Sequence, residues 1–491
     1  MSVTGSFRAD GPLHLNCEVL VIGAGAGGAT AAHELVNAGK DVLLLDEGPA
    51  GWMENAPVSG AEGVAKLWRN GGLTVALGAP PVAYAEGRCV GGGTEINSAI
   101  VQRAPNDLLN RWAEDYRIAN FGAAALHPYY DKAFHTLNAS LVEGPLGPPS
   151  ELFRTGAEKK GWKFAELERA QSRTDKRMGA KQSLGQALVQ PALNKGLRLL
   201  AQCRAHKLVI QNGKITGAKA RATGPDGRRH SVTIKCQSAF LAAGAVHTPA
   251  LLRASGVTAN VGNSLRLHPT IKILAKFPFK LSAHLHHLPL YAVTEFMPDI
   301  RLGGSVFTPG FFGMALAEDW ENRKHLLPAM DECGMYYAMV RAGGTGMVRP
   351  LPGHRGDPLV TYRLTPADKQ HLRSGLLALA ELMLEAGATQ LYPSLAGHKG
   401  WTSLDQARFD LSSEAALAKA NLMTIHLFSS CPMGEDLSRC PVDSFGRVRQ
   451  VQNLYIADAS LIPEAPGVNP QATIMAIAYR NIEAFLQKAA A

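Results

Sequence analysis

An apolar run from Glu18 to Ile22 breaks into Gly23-Ala24-Gly25-Ala26-Gly27-Gly28, and an alanine-rich stretch with helical spacing follows to Asn37. Gly39 closes that helix, and a second apolar run, Val42 to Leu45, ends at Asp46. Strand, glycine turn, helix and strand in this order make one βαβ unit, the opening of a dinucleotide-binding fold. From Ala205 to Ala245 the pattern changes to strands: LVI, ITGAKARAT, SVTI and AFLAAG, parted by turns at Gln211-Asn212-Gly213 and Pro225-Asp226-Gly227. Such a meander after a long interruption implies a discontinuous cofactor domain, expected over 15–119, 201–266 and 428–491. The intervening 120–200 and 267–427 form the expected substrate domain, with strand-like runs at Lys272 to Phe277, Gly334 to Arg341 and Leu359 to Arg363 and an amphipathic helix from Pro366 to Ala386. The expected class is α/β, a Rossmann-type domain beside an α+β domain built on an antiparallel sheet.

The glycines of the first unit have separate tasks. Gly23 permits the tight turn, Gly25 lets backbone approach a pyrophosphate, and Gly28 lets helix and strand pack closely. The helix N-terminus offers unpaired N–H groups and the positive end of its dipole to phosphates. Asp46, 23 residues after Gly23, stands where a carboxylate accepts hydrogen bonds from a ribose hydroxyl. This pattern alone fits FAD and NAD equally.

The 491 residues suffice for two or three domains, and 46% apolar with 19% charged residues is ordinary for a globular enzyme. A net charge of +9 raises the question of nucleic acid, but the densest basic runs, Arg228-Arg229-His230 and Arg173 to Lys181, are short and lack aromatics, so no nucleic-acid partner is expected. Seven cysteines without a C-x-x-C pair suit free thiols in a reducing compartment, and the expected location is cytoplasmic. No apolar run reaches 18 residues and Met1 to Asn16 has no leader pattern, so neither a transmembrane segment nor a signal peptide is expected.

Four blocks carry a resemblance. Beyond the first βαβ unit they are Gly87-Arg88-Cys89-Val90-Gly91-Gly92-Gly93-Thr94-Glu95-Ile96-Asn97, then Ala242 to Pro249 continuing to Ser255-Gly256, then Asn453 to Ser460 with Pro463, Gly467-Val468-Asn469-Pro470 and Thr473 to Arg480. Together they resemble the glucose-methanol-choline (GMC) family of FAD-dependent oxidoreductases. The resemblance implies FAD, with Gly92, Gly93, Thr94 and Asn97 under the pyrophosphate and flavin ring, Asp458 at the diphosphate or ribityl region, and Asn469-Pro470 against the ring. His247 falls in the variable part of the third block and reads as structural. Some family members tether FAD through a histidine in the second block; none occurs here between Gly87 and Ser98, so the FAD is expected to be non-covalent.

His426 opens His426-Leu427-Phe428-Ser429-Ser430-Cys431-Pro432-Met433-Gly434, similar to the family's H-x-x-G-T-C-x-M-G segment but with Ser429 in place of glycine and Ser430 in place of threonine. Oxidising an alcohol removes a hydride from carbon and a proton from oxygen, and a neutral imidazole suits the second task. The resemblance makes His426 the general base and Asn469 the orienting partner, since an amide cannot be a base at neutral pH. Glu295 has two readings, a third active-site group as in sterol-oxidising relatives or a surface carboxylate. His284, His286 and His287 lack a carboxylate at ligand spacing and read as a polar loop, so no metal is expected. Met and Phe residues between Phe296 and Met314 suit either a substrate cavity or ordinary core.

The expected function is FAD-dependent oxidation of a small-molecule alcohol. Similarity to the bacterial long-chain-alcohol and sterol-oxidising branch, including Gly179-Ala180-Lys181-Gln182-Ser183, implies an apolar substrate. The electron acceptor is oxygen, a quinone or a cytochrome. The alternatives are a lyase of the same fold without net redox change and a redox-inactive flavin-binding subunit.

Overall fold

The computed structural model describes residues 11–51, 60–173, 180–286, 288–351 and 356–490; His287, Gly179 and most of the basic run from Arg173 to Lys181 lie outside the described residues. The βαβ unit forms as expected, with β1 (Leu13–Ile22), α1 (Ala26–Asn37) and β2 (Val42–Leu45), the last fully buried as its unbroken apolar run requires. β3 (Arg198–Leu200) lies beside β2, and β4 (Cys203–Gln211), β5 (Lys214–Thr223) and β6 (Arg229–Leu241) make the meander. Asn212 and Gly213 both take positive φ in the two-residue turn between β4 and β5, which matches the twist of a hairpin. SVTI and AFLAAG, separate runs in the sequence, are two halves of β6: the first half pairs with β5, while β6 as a whole lies parallel to β1. The order is β3-β2-β1-β6-β5-β4.

After β6 comes α2 (Gly244–Ala254), and the chain then enters a second, nine-stranded sheet. Its centre is β8 (Thr270–Lys276), reached through the short β7 (Arg266–Leu267), and β8 pairs antiparallel with β10 (Cys333–Val340), which pairs with β9 (Ile300–Gly304). Helix α3 (Pro366–Glu385) covers this sheet, and its N-terminus is fixed by a capping box between Thr365 and Asp368. The chain returns through β11 (Leu427–Phe428), paired with β7, and β12 (Leu454–Ile456), parallel beside β6, to α4 (Gln471–Ala490).

Two large sheets are therefore present among the described residues, beside three two-stranded ones, but strands cross the expected boundaries. Thr74–Ala76 and Val82–Tyr84 join the second sheet through Leu422–Thr424, and β3 joins the first. Leu126, Tyr130, Ala133 and Leu137 share the dinucleotide core with Met475 and Ala476 of α4. These pairings link residues hundreds of positions apart, which no local pattern encodes. All seven cysteines are unpaired and buried, and among the described residues no helix is long and apolar enough to cross a membrane.

Candidate active site

The first βαβ unit and the second sheet open into one cavity of about 1510 Å³. A single-ligand pocket spans roughly 300–1,000 Å³. There is room for a dinucleotide and a substrate together.

At the dinucleotide end the glycines divide by what a side chain would meet. A Cβ on Gly23, where φ is +103°, would lie 2.2 Å from the Ala242 carbonyl oxygen, and one on Gly28 would lie 1.9 Å from the Gly23 oxygen. Gly27, which sequence reasoning passed over, is as tight, 1.8 Å from the Ala457 oxygen. By contrast, Cβ atoms on Gly25 and Gly93 would meet nothing within 4 Å, and both line the cavity. Helix α1 has no side-chain cap and no acidic residue in its first turn, so its free N–H groups face a space a phosphate can fill. Gly92 stands 2.8 Å from the Gly25 Cα by its would-be Cβ, which seats the second glycine loop on the first.

Asp46 is buried; one carboxylate oxygen accepts from Ala24 N–H and the other from Gly48 N–H, both at 2.9 Å. Burial pushes its pKa up to about 6. Thr94 donates to the Gly91 carbonyl at 2.7 Å and accepts from Leu184 N–H at 3.2 Å, and Asn97 donates to Gln471 Oε1 at 2.7 Å. Asp458 accepts from Gly244 N–H, Thr248 Oγ1, and the N–H and Oγ of Ser460 at 2.5 to 2.9 Å. Its oxygens are thus occupied by the protein, and what it brings to the cavity wall is the first turn of α2 and the turn at Ala459. Asp46, Thr94, Asn97, Asp458 and Pro470 all line the cavity.

Of two basic groups here, Arg69 escaped the sequence reading and Lys181 was named there without a role of its own. Buried Arg69 pairs with Glu47, with Glu86 at 3.4 Å and with Asp357 at 3.1 Å; burial works against the charge on Glu47, but Arg69 outweighs it and holds that carboxyl at about 2. Lys181 donates to the carbonyls of Glu95 at 2.6 Å and Asn97 at 3.0 Å, strapping its segment to the second glycine loop. Burial lowers its pKa to about 8.

At the other end the pairing of β7 with β11 sets Leu267 opposite Leu427 and so brings His268 beside His426. Their Nδ1 atoms are 3.1 Å apart, and His268 Nε2 accepts from Gly467 N–H at 2.9 Å. Thr424 Oγ1 holds the His426 backbone at both its N–H and its carbonyl, at 3.1 and 3.0 Å. Ser429, where the resembling segment has glycine, takes a glycine-like φ of +64°, and its carbonyl accepts from Ser264 Oγ–H at 2.6 Å. Burial, then the charge of Arg301, lowers the His426 pKa to about 3, and the same two influences with His426 and Arg341 hold His268 well below the ordinary imidazole range.

Asn469 lines the cavity with His426. Its Oδ1 accepts from Arg301 Nη2 at 2.9 Å; Arg301 is 1% exposed and also bonds Gln102 Oε1 and, at 3.2 Å, Tyr337 Oη. With Oδ1 taken, the Asn469 amide is oriented and its N–H bonds remain for a ligand. His268, Arg301 and Gln102 were missed because each is a lone polar residue in an unremarkable strand or loop.

Glu295 is not brought to this site. It is exposed, does not line the cavity, and accepts from Lys163 N–H at 3.0 Å, so the surface reading applies. His247, expected to be structural, lines the cavity 3.5 Å from Glu86. Among the described residues no group of His, Cys, Asp and Glu could hold a metal; His284 and His286 lie on the cavity wall.

Comparison with known proteins bears on these features. Models of the GMC oxidoreductase N- and C-terminal regions match residues 64–270 and 352–478, and a NAD(P)-binding Rossmann-like model matches 21–75. The chain is 49% identical over 490 residues to an uncharacterized GMC-type oxidoreductase, y4nJ, of Sinorhizobium fredii, covering 98% of this chain and 97% of that one. It is 25% identical to long-chain-alcohol oxidase FAO3 of Arabidopsis thaliana, covering 95% of this chain and 67% of that protein. Among solved structures, pyridoxine 4-oxidase from Mesorbium loti superimposes with a TM-score of 0.69 at 18% identity, covering 96% of this chain and 99% of that one. Formate oxidase of Aspergillus oryzae RIB40, studied for its FAD modification, does so at 0.72 and 15%, covering 98% and 99%. The chain belongs to the GMC oxidoreductase family of flavoproteins.

Proposed function

We propose that this protein oxidises the CH–OH group of an alcohol to an aldehyde or ketone. The observation that carries the reading is that a glycine-lined dinucleotide cradle and the pair His426 and Asn469 open into one cavity. FAD fits that cradle: Gly25 and Gly93 leave backbone bare to the cavity, and α1 offers uncapped N–H groups. Bound FAD supplies the hydride acceptor. The chain's own residues hold the alcohol oxygen, through His426 and the Asn469 amide, and turn its carbon toward the ring.

The FAD is bound without a covalent link, since the second block has no histidine between Gly87 and Ser98. The substrate is apolar: Leu274, Phe311, Met314, Met335 and Met339 line the cavity that holds the pair. The name of one relative agrees with an apolar alcohol, for FAO3 is a long-chain-alcohol oxidase; another relative, 25% identical, is the choline oxidase of Arthrobacter globiformis, which supports alcohol oxidation alone. A cytoplasmic location accords with seven unpaired cysteines.

The test is a panel of alcohols of increasing chain length mixed anaerobically with the yellow protein. Bleaching of the flavin that strengthens with apolar length supports both parts of the reading. Bleaching by short polar alcohols alone removes the apolar substrate, and substrate cleavage without bleaching favours the lyase.

A further inference from the structure

The hydrogen bonds around His268 decide which nitrogen of His426 carries a proton. A backbone N–H can only donate, so His268 Nε2, 2.9 Å from Gly467 N, must present a lone pair. The neutral His268 ring then carries its proton on Nδ1, and across 3.1 Å it donates to His426 Nδ1. With Nδ1 accepting, neutral His426 carries its own proton on Nε2. Turning the His268 ring over would set carbon atoms against both Gly467 N–H and His426 Nδ1, so the orientation is fixed by two contacts at once.

We infer that His268 is a positioning residue that locks His426 as the Nε2–H tautomer, so that His426 meets the substrate oxygen as a hydrogen-bond donor. The inference rests on the alcohol-oxidising reading and gives His426 a role other than the general base that the family resemblance implies. Protonating either ring would break the arrangement: a proton on His268 Nε2 would face Gly467 N–H, and one on His426 Nδ1 would face the His268 Nδ1–H. The charged groups acting on the pair are Arg301 and Arg341, both cations that oppose a further positive charge.

His426 Nε2–H and the Asn469 amide, which line the same cavity, would then offer the oxygen two donors, with the Arg301 charge bonded to Asn469. This is a site for developing negative charge. Bound FAD would supply the hydride acceptor, the hydroxyl proton would leave to solvent, and both N–H groups would hold the oxygen as it becomes a carbonyl.

The experiment is anaerobic stopped-flow reduction of FAD-loaded protein by an alcohol that bleaches it, with the visible spectrum of each variant reporting that FAD is bound. His426→Gln, which keeps a side-chain N–H donor, should stay within about tenfold of wild type, while His426→Ala should lose about a hundredfold or more. The wild-type rate should show no inflection between about pH 5 and 8, where an ordinary imidazole titrates. His268→Phe should bring an inflection into the acidic range, because His426 is then free to present a lone pair. A wild-type inflection in that window that His426→Ala abolishes, or a His426→Gln as slow as His426→Ala, would overturn the inference. If no alcohol bleaches the flavin, 15N-histidine spectra of the FAD-loaded protein still decide it: protons on His426 Nε2 and His268 Nδ1 support the lock, and a proton on His426 Nδ1 refutes it.

Discussion

Arg301 Nη2 donates to Asn469 Oδ1 at 2.9 Å, joining two residues 168 positions apart and settling which end of the Asn469 amide faces the cavity. A carbonyl oxygen turned toward the substrate would repel charge growing on the alcohol oxygen; the amide N–H stabilises it.

Replacing Arg301 by Met should therefore slow flavin reduction by about tenfold to a thousandfold while FAD stays bound, because Asn469 loses its orienting partner and the site its cation. Asn469→Ala should fall in the same range, and the double variant should be little worse than either, since both remove one unit. The rates of the three variants under anaerobic conditions check this; additive losses would separate the two residues.

The two kinds of glycine in the first turn should behave differently. Gly25→Val points into open cavity and should give a folded, colourless protein, whereas Gly28→Ala drives a Cβ to 1.9 Å from a backbone oxygen and should fail to fold. Circular dichroism and flavin absorbance of both variants distinguish loss of cofactor from loss of structure.

Denaturing the protein with acid or heat should release all of its FAD into the supernatant. Flavin absorbance that stays with the precipitated chain would show a covalent link and remove that part of the proposed function.

Asp46 makes the apoprotein pH-sensitive. Its folded pKa, pushed up to about 6 by burial, lies above the ordinary aspartate value of 3.8, so the folded state binds the proton more tightly than the unfolded one. Stability is thus full below pH 4 and declines as pH rises toward 6, by up to about 3 kcal/mol. Asp46→Asn should remove this part of the slope, and urea denaturation of both apoproteins from pH 4 to 7 measures the difference.

The βαβ unit was legible because its signal is local: a buried strand, a glycine turn and a helix follow one another within Glu18 to Asp46. His426 and Asn469 were legible only through their resemblance to family blocks. Nothing local marks Arg301, whose strand is buried along its whole length and whose partners Gln102 and Asn469 lie 199 and 168 residues away. His268 was hidden the same way, 158 residues from His426. The boundaries failed where Thr74 to Tyr84 crossed into the second sheet, because strand partners are chosen by the assembled core.

The central claim is that one cavity joins a flavin cradle to a site that holds an alcohol oxygen. Anaerobic addition of a long-chain primary alcohol to the purified yellow protein tests it most directly, with flavin absorbance and carbonyl product followed together. Full bleaching with one carbonyl formed per FAD, slowed but not abolished by the Arg301 and Asn469 variants, is the result predicted. A flavin that stays oxidised through the whole alcohol panel would contradict it.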